Sequence, residues 1–188
     1  ESLLREAQQL QLEAIEITQA AEKLEDARKW SIEAAAVLLP LVPVTPAVLM
    51  QLEELAARVE ELNLALAEQE ALDARLGFVR GWLSRAKAAM ESHAPWQTLT
   101  ALVKEAKANK VDLPEVPQLA EAQAEQAWLG LGEIALSKPA TIEDLEELVA
   151  GSAKMAETPR ATEMSRALKA KLEVAQRWQV RFDELDAK

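Results

Sequence analysis

Residues 141–178 read TIEDLEELVAGSAKMAETPRATEMSRALKAKLEVAQRW and predict a short helix, a connector and a long helix. Thr141 and Asp144 have the spacing of a capping box, in which a hydroxyl and a carboxylate satisfy free N–H groups at a helix start. Thr158 places a second capping hydroxyl before Pro159, a residue favoured at the first helical position. The long helix carries an apolar stripe at helical spacing, made up of Met164, Leu168, Leu172, Ala175, Trp178 and Phe182.

The rest of the chain has the same character, so the predicted fold class is all-α. Ala, Leu, Glu, Gln, Lys and Arg dominate, and alternating β-branched runs are absent. Proline clusters at 40–46 and 111–117 interrupt the pattern, and Thr45-Pro46 gives another helix start. A break near 62–67 stays open, because that segment contains neither Pro nor Gly. Helices are predicted at 2–11, 18–39, 46–61, 67–91, 96–109, 117–136, 142–154 and 159–185.

Tryptophans recur about every 50 residues, at Trp30, Trp82, Trp128 and Trp178, and indicate an internal repeat. Each lies in a long helix that follows a short Leu-x-x-Leu helix and an extended connector. This period predicts an elongated array of antiparallel helix pairs, with about four helical-hairpin repeats and one Trp in each, and a spectrin-like bundle is the alternative. The tryptophans are predicted to lie in the core, since a buried Trp offers a large apolar area. A row of ligand-binding tryptophans is the alternative. The expected units of one single helical repeat domain, 1–188, are 1–39, 40–91, 92–136 and 137–188.

Composition excludes several classes of function. The 188 residues carry a formal net charge of −11, with no Cys and a single His. Without Cys there is no disulfide framework, thiolate metal site or Cys nucleophile. The acidic balance argues against binding nucleic acid, and no apolar run approaches the roughly 20 residues that span a bilayer. The first residues resemble no signal peptide and include no Met, so the chain is expected to be a fragment of a larger protein.

Candidate catalytic residues have plainer explanations. His93 lies between two helices, without the Glu-x-x-His spacing of a di-iron bundle and without a nucleophile elbow for a Ser-His-Asp site. The carboxylates of 143–147 fall in a first helical turn, where they complement the helix dipole. Gly130 and Gly132 indicate a weak point of a helix or close packing rather than a phosphate loop. We therefore predict no catalytic, cofactor-binding or metal-binding residue, and no cofactor in this chain.

The segment 154–181 is locally basic. We expect its cations to neutralise the acidic helix 142–150 across the hairpin, and contact with DNA or an acidic partner is the alternative. The basic residues are Lys154, Arg160, Arg166, Lys169, Lys171, Arg177 and Arg181.

The segments 2–30, 98–128 and 141–178 resemble the Plu-type helical domain of the JARID class of Jumonji histone demethylases, the lysine-specific demethylase 5 family. The shared sequence pattern consists of Leu-x-x-Leu, Arg-Glu-Ala at 5–7, the connector Leu113-Pro114-Glu115, and a helix ending in Ala-x-x-Trp. The resemblance covers nearly the whole chain. The second unit lacks the Leu-Pro connector and departs from the pattern.

The resemblance implies a non-catalytic helical scaffold, spacer and protein-interaction module that acts in chromatin regulation in the nucleus. The family demethylates lysine-4 of the third core histone with iron and 2-oxoglutarate. Its iron ligands, two His and a carboxylate, do not map onto a chain with one His. The implied partners are other domains of the parent chain and corepressor subunits. Membrane contact, a small-molecule ligand and direct nucleic-acid binding are not expected. The alternatives are an unrelated or designed helical-bundle scaffold, and an enzyme with an unrecognised helical site.

Overall fold

The computed structural model describes residues 2–63, 66–155 and 158–186, with side chains described from Thr18 apart from Ala20, Lys154 and Asp186. These ranges contain helices and an isolated bridge but no strand, which confirms the all-α fold class. A 3-10 turn, Ser152–Lys154, follows the sixth helix. The helices are α1 (Ser2–Leu38), α2 (Pro46–Leu62), α3 (Gln69–Glu91), α4 (Trp96–Ala108), α5 (Glu115–Ser137), α6 (Ile142–Gly151) and α7 (Pro159–Asp186).

Three helix starts are held by the threonines predicted from sequence. Thr45 Oγ1 accepts a hydrogen bond from the backbone N–H three residues later, at 3.3 Å. Thr158 Oγ1 accepts the equivalent bond from Ala161 at 3.2 Å. Thr141 and Asp144 form a complete capping box, with reciprocal bonds of 3.1 and 3.3 Å. Each cap satisfies backbone donors that the helix itself leaves free.

The open question at 62–67 is resolved as a break. Asn63 ends α2 in the left-handed region, with φ 51° and ψ 45°, and its N–H bonds back to the last turn of the helix. Asn tolerates this conformation better than most residues. Residues 64 and 65 of this break, and residues 156 and 157 of the connector before Pro159, lie outside the described residues.

The predicted connector between helices 2–11 and 18–39 is wrong, because α1 runs unbroken from Ser2 to Leu38. The segment 12–17 contains no Pro or Gly, and its Leu, Glu and Ala residues favour helix. Its isolated β-branched residues lower helix propensity only slightly. Alignment with other connectors of the supposed repeat was therefore a weaker guide than local propensity.

The connector before α5 is extended, as predicted. Val44 N donates to Lys110 O at 2.8 Å, and Asp112 N donates to Val44 O at 3.0 Å, so two extended segments pair over one bridge. The helix that follows begins at Glu115 rather than at the predicted Pro117. Pro117 still lies in the first turn, where a missing N–H leaves no hydrogen bond unmade.

Backbone contacts divide the chain into two compact units, one of residues 1–84 and 106–113 and the other of residues 85–105 and 114–188. Each has its own hydrophobic cluster. A single cooperative repeat domain with the four predicted units stays a prediction. The first cluster contains Trp30, Ala34, Leu52, Leu55, Val59, Leu72 and Leu76. The second contains Trp128, Leu129, Ala135, Leu145, Ala161 and Leu168.

Candidate interaction surface

Two tryptophans make the same contact with the helix that follows their own. Trp30 Nε1 in α1 donates to the backbone carbonyl of Leu55 in α2, at 2.8 Å. Trp128 Nε1 in α5 donates to the backbone carbonyl of Leu148 in α6, at 2.9 Å. Both acceptors are the last residue of the sequence Leu-Glu-Glu-Leu, at 52–55 and 145–148. The described residues therefore include at least two examples of a Trp helix that binds an acidic Leu-x-x-Leu helix.

The other positions of the two Leu-Glu-Glu-Leu segments are also equivalent. Their first leucines, Leu52 and Leu145, are fully buried. Their first glutamates accept hydrogen bonds from the next long helix. Arg80 in α3 donates to Glu53 at 3.0 Å, and Gln176 in α7 donates to Glu146 at 3.0 Å. In both units the short acidic helix thus contacts a Trp helix before it and a polar donor after it.

In each unit, a basic side chain binds the free carbonyl oxygens at the C-terminal end of the Trp helix that precedes the acidic helix, α1 or α5. Arg75 in α3 donates to the carbonyl oxygens of Val37 and Val42 at 2.9 and 2.6 Å, at the end of α1. Lys171 in α7 donates to the carbonyl oxygens of Ala135 and Lys138 at 2.5 and 2.8 Å, at the end of α5. These bonds satisfy carbonyls that a helix C-terminus leaves free and place positive charge at the negative dipole end. Burial lowers the pKa of the Arg75 guanidinium from its usual value.

These contacts place α3 and α7 in one register. Arg75 lies seven residues before Trp82, and Lys171 lies seven residues before Trp178. The polar donors described above lie two residues before the same tryptophans. Ten residues before them, Leu72 and Leu168 are both fully buried. Trp178 in α7 is therefore the structural equivalent of Trp82 in α3.

The core prediction is confirmed for three tryptophans and wrong for the fourth. Trp30 and Trp82 are fully buried, and Trp128 is nearly so. Trp178 is 66% exposed. The helical stripe that predicted its burial is real, because Leu168 in the same stripe is buried. The apolar stripe of α7 continues from the buried Leu168 to Trp178 and Phe182, which no other described helix covers.

Trp178 and Phe182 of the stripe are exposed together with Val174 and Leu185 beside them, and we name these four apolar side chains the Trp178 face. Their spacing of four, four and three residues places them on one side of α7. The cause of exposure is length: α7 has 28 residues and α6 has 10, or about 42 and 15 Å at 1.5 Å per residue. The predicted lengths of these two helices, 159–185 and 142–154, already contained this signal, which the sequence interpretation did not use.

Grooves flank the Trp178 face on both sides. One is lined by Trp178 and Phe182 together with the first residues of α6, including Ile142. The other is lined by Val174, Arg177 and Arg181 beside the Trp178 ring. Within the described part of the chain, no acceptor bonds to the Trp178 indole N–H. The face thus offers an aromatic platform, a free donor and two cations.

The prediction that 154–181 neutralises the acidic helix 142–150 is wrong in its pairing. Arg160 pairs with Glu133 of α5 at 3.1 Å, and Arg177 lies 4.0 Å from Glu173 of its own helix. Lys171 binds carbonyl oxygens of α5, and the side chain of Lys154 lies outside the described residues. The described side chain of α7 that donates to a carboxylate of α6 is instead the neutral Gln176. Side-chain direction decides these pairings, and charge composition alone does not reveal it. Arg166, Lys169 and Arg181 form no ion pair with any described residue.

The remaining candidate residues have structural roles or none. His93 is exposed, with a φ of 47° in the turn after α3. A Cβ atom on Gly132 would lie 2.7 Å from Met164 Sδ, which confirms close packing there, whereas a Cβ on Gly130 meets nothing within 4 Å. Among the side chains that the structure describes, no group of three His, Cys, Asp or Glu could hold a metal ion.

Two surface carboxylates have shifted pKa values with structural causes. Hydrogen bonds with Arg85, at 2.8 and 2.9 Å, lower the pKa of Glu105 and raise that of the guanidinium. Hydrogen bonds with Thr141 lower the pKa of Asp144, through the threonine side chain first and its backbone second. Both shifts are explained by an ion pair and a helix cap and require no catalytic role.

Comparison with known proteins identifies a family. No curated protein and no solved structure matches the chain. None of the described helices is long and apolar enough to cross a membrane. The profile of the family described as PLU-1-like protein matches residues 44–186, about three quarters of the sequence. This match sets aside the alternative of an unrelated helical bundle, and the chain belongs to the PLU-1-like family.

Proposed function

We propose that the chain is a non-catalytic helical region of a histone lysine-4 demethylase, where it acts as a scaffold and protein-interaction module. The exposed Trp178 face carries this proposal, because four large apolar side chains in one row are typical of a surface that binds another protein. Family membership supports the association with histone demethylases. The parent protein is expected to act on chromatin in the nucleus.

The scaffold role is supported by helix length and by the contacts that close helix ends. A helix of 28 residues spans about 42 Å, so α7 can hold groups at its two ends well apart. Lys171 joins α7 to the end of α5, and Arg75 joins α3 to the residues that end α1, in both cases through backbone carbonyls. Such contacts resist sliding of one helix along another, because each of them fixes a register.

The non-catalytic role is supported by composition. Iron- and 2-oxoglutarate-dependent oxygenases bind their metal with two His and a carboxylate, and the chain has one His. We therefore expect the purified chain to leave a lysine-4-trimethylated histone peptide unchanged in the presence of iron, ascorbate and 2-oxoglutarate. Loss of methyl groups, measured by mass spectrometry, would contradict this part of the proposal.

The interaction role is tested by cross-linking mass spectrometry on the parent demethylase complex purified from nuclei. Lys169 and Lys171, which lie in the same helix nine and seven residues before Trp178, are expected to cross-link to other domains or to corepressor subunits. Lys29 and Lys110, which lie in the other unit, serve as internal controls for random surface cross-linking. Cross-links no more frequent at Lys169 and Lys171 than at these controls would contradict an interaction role for this surface.

A further inference from the structure

We propose that the Trp178 face binds an acidic amphipathic helix of a partner protein that carries a Leu-x-x-Leu pair. Trp178 Nε1 donates a hydrogen bond to the backbone carbonyl of the second leucine. This inference rests on the proposed function, because it specifies the partner that the interaction module takes.

Two Trp contacts within the chain, in α1 and α5, show which backbone carbonyl an indole N–H binds when a Trp helix packs on a Leu-x-x-Leu helix. In each, an indole N–H reaches the carbonyl of the last leucine of Leu-Glu-Glu-Leu, at 2.8 and 2.9 Å. The first leucine of each segment is fully buried in the same cluster as the Trp. A helical carbonyl has a second lone pair, so it accepts this bond without losing its bond within the helix. Recognition therefore requires only two leucines three residues apart and an exposed backbone carbonyl at the second of them.

In α3, the side chains at the positions equivalent to Trp178, Phe182 and Leu185 are buried. Trp82, Ala86 and Ala89 are buried, at 0%, 0% and 7% exposure. The residues in the same register of α7 are Trp178, Phe182 and Leu185, at 66%, 64% and 72%. Larger side chains occupy the exposed copy, so it offers more apolar area to a partner than the buried copy does.

Charge selects an acidic helix. Arg177 and Arg181 line the groove beside Trp178, and Arg181 forms no ion pair with any described residue. In the first unit, an arginine of the long helix contacts a glutamate between the two leucines, through Arg80 and Glu53. A partner helix with Glu or Asp between its leucines meets the same chemistry at Arg177 and Arg181.

Two other occupants fit less well. A second copy of the chain would have to offer its own Leu-Glu-Glu-Leu segments, but both already bind Trp30 and Trp128. A nucleic acid would have to bind a chain of net charge −11 through two arginines and one aromatic platform. Both become outcomes of the test.

The test is a fluorescence-anisotropy titration of the whole chain against a fluorescein-labelled synthetic peptide, TIEDLEELVAGSA, which copies residues 141–153. This sequence already packs against a Trp helix in the chain. Saturable binding is expected, and Trp178→Ala should weaken it at least tenfold. Trp178→Phe keeps a smaller aromatic ring but loses the indole N–H donor, so it should weaken binding about three- to tenfold. Trp96→Ala, which removes a partly exposed Trp outside the face, should have no effect.

A second peptide measures the contribution of the two leucines to binding. Replacing both leucines of the probe with alanine keeps its charge, and its binding to the wild-type chain should fall at least tenfold. Equal binding of the original probe to wild type and Trp178→Ala would overturn the inference, since the probe would then be exchanging with α6 or binding elsewhere. Absence of saturable binding up to about 1 mM would also overturn it.

Further experiments test whether a second copy of the chain, a nucleic acid or a helix of the parent protein covers the Trp178 face instead. Sedimentation that shows a dimer dissociated by Trp178→Ala, or Trp178-dependent binding of a labelled single-stranded oligonucleotide without peptide binding, would overturn the inference. So would loss of peptide binding in the full-length parent, because a helix of that same protein would then cover the face. If Trp178→Ala leaves the cross-links of Lys169 and Lys171 to partner subunits unchanged, the inference fails while the proposed function stands.

Discussion

The segments of α3 around Trp82 and of α7 around Trp178 share one register but differ in exposure. Up to the tryptophan they agree, with a buried leucine ten residues before it and a basic side chain that closes a neighbouring helix seven residues before it. From the tryptophan onward they diverge, because Trp82 is fully buried and Trp178 is 66% exposed. Periodicity therefore defines which residues share a face, whereas the presence of a covering helix decides whether that face is core or surface.

The same comparison explains why the two tryptophans should differ in energetic importance. A buried Trp contributes both removal of apolar area from water and close packing. An exposed Trp contributes little of either until a partner covers it. The first two of the four predictions below use matched pairs from the two units, and all four are given in order of decreasing effect.

The largest difference is expected between Trp82→Ala and Trp178→Ala. Trp82→Ala leaves a large cavity and should lower the free energy of unfolding by about 3–5 kcal/mol, as should Trp128→Ala. Trp178→Ala should change it by no more than about 0.5 kcal/mol, since the ring is mostly in water. Urea unfolding followed by circular dichroism measures both. Equal destabilisation by the two substitutions would contradict the assignment of Trp178 to the surface.

The next effect concerns the basic residues that close helix ends. Arg75→Met and Lys171→Met should each lower the free energy of unfolding by about 1.5–3 kcal/mol, because charge-assisted hydrogen bonds to several carbonyls are lost. Lys169→Met is the control, because Lys169 is exposed and unpaired among the described residues. If Lys171→Met costs no more than Lys169→Met in thermal unfolding, the proposed equivalence of α3 and α7 loses its main support.

Two glycines of α5 offer a smaller, local contrast. Gly130→Ala should raise the free energy of unfolding by up to about 1 kcal/mol, because Ala favours helix and the new methyl meets nothing within 4 Å. Gly132→Ala should lower it by about 1 kcal/mol, because its methyl would lie 2.7 Å from Met164 Sδ. Differential scanning calorimetry of both variants tests the close approach of α5 and α7. A similar gain in both would show that Met164 moves aside freely.

The smallest effect is a pH dependence at the start of α6. Because its hydrogen bonds with Thr141 lower the pKa of Asp144 in the folded chain, the carboxylate stabilises the fold at pH values above the usual Asp pKa, about 3.9. That contribution should disappear as the pH falls through the lowered folded value. Asp144→Asn should therefore be less stable than wild type at pH 7 and nearly equal to it near pH 2. A stability difference that does not change between these pH values would contradict the capping role.

Much of the fold follows from local chemistry in the sequence. The caps at Thr45, Thr141 and Thr158 depend on residues three positions apart, so the sequence predicts them and the structure confirms them. The sequence leaves the break near 62–67 open, because the segment contains neither Pro nor Gly, and the left-handed Asn63 ends the helix there. The connector predicted at 12–17 is wrong, because the Leu, Glu and Ala residues of this segment favour helix and no Pro or Gly interrupts it.

The interaction surface could be predicted only in part. The stripe through Trp178 was visible, but its exposure depends on where α6 ends relative to α7, which is a tertiary relation. The contacts of Lys171 with Ala135 and Lys138 join residues more than 30 positions apart and follow from packing rather than from local sequence. The sequence also shows the repeated Leu-Glu-Glu-Leu, but its pairing with a Trp donor is a tertiary contact between residues 20 and 25 positions apart.

Hydrogen exchange of the indole N–H groups, followed by nuclear magnetic resonance, tests the central claim most directly. In the free chain, the Trp30 and Trp128 signals should exchange slowly, because both donors are hydrogen-bonded and buried, and the Trp178 signal should exchange rapidly. Saturating TIEDLEELVAGSA peptide should slow the Trp178 exchange and leave the other two unchanged. Slow exchange of Trp178 in the free chain, or rapid exchange that the peptide does not alter, would contradict the account.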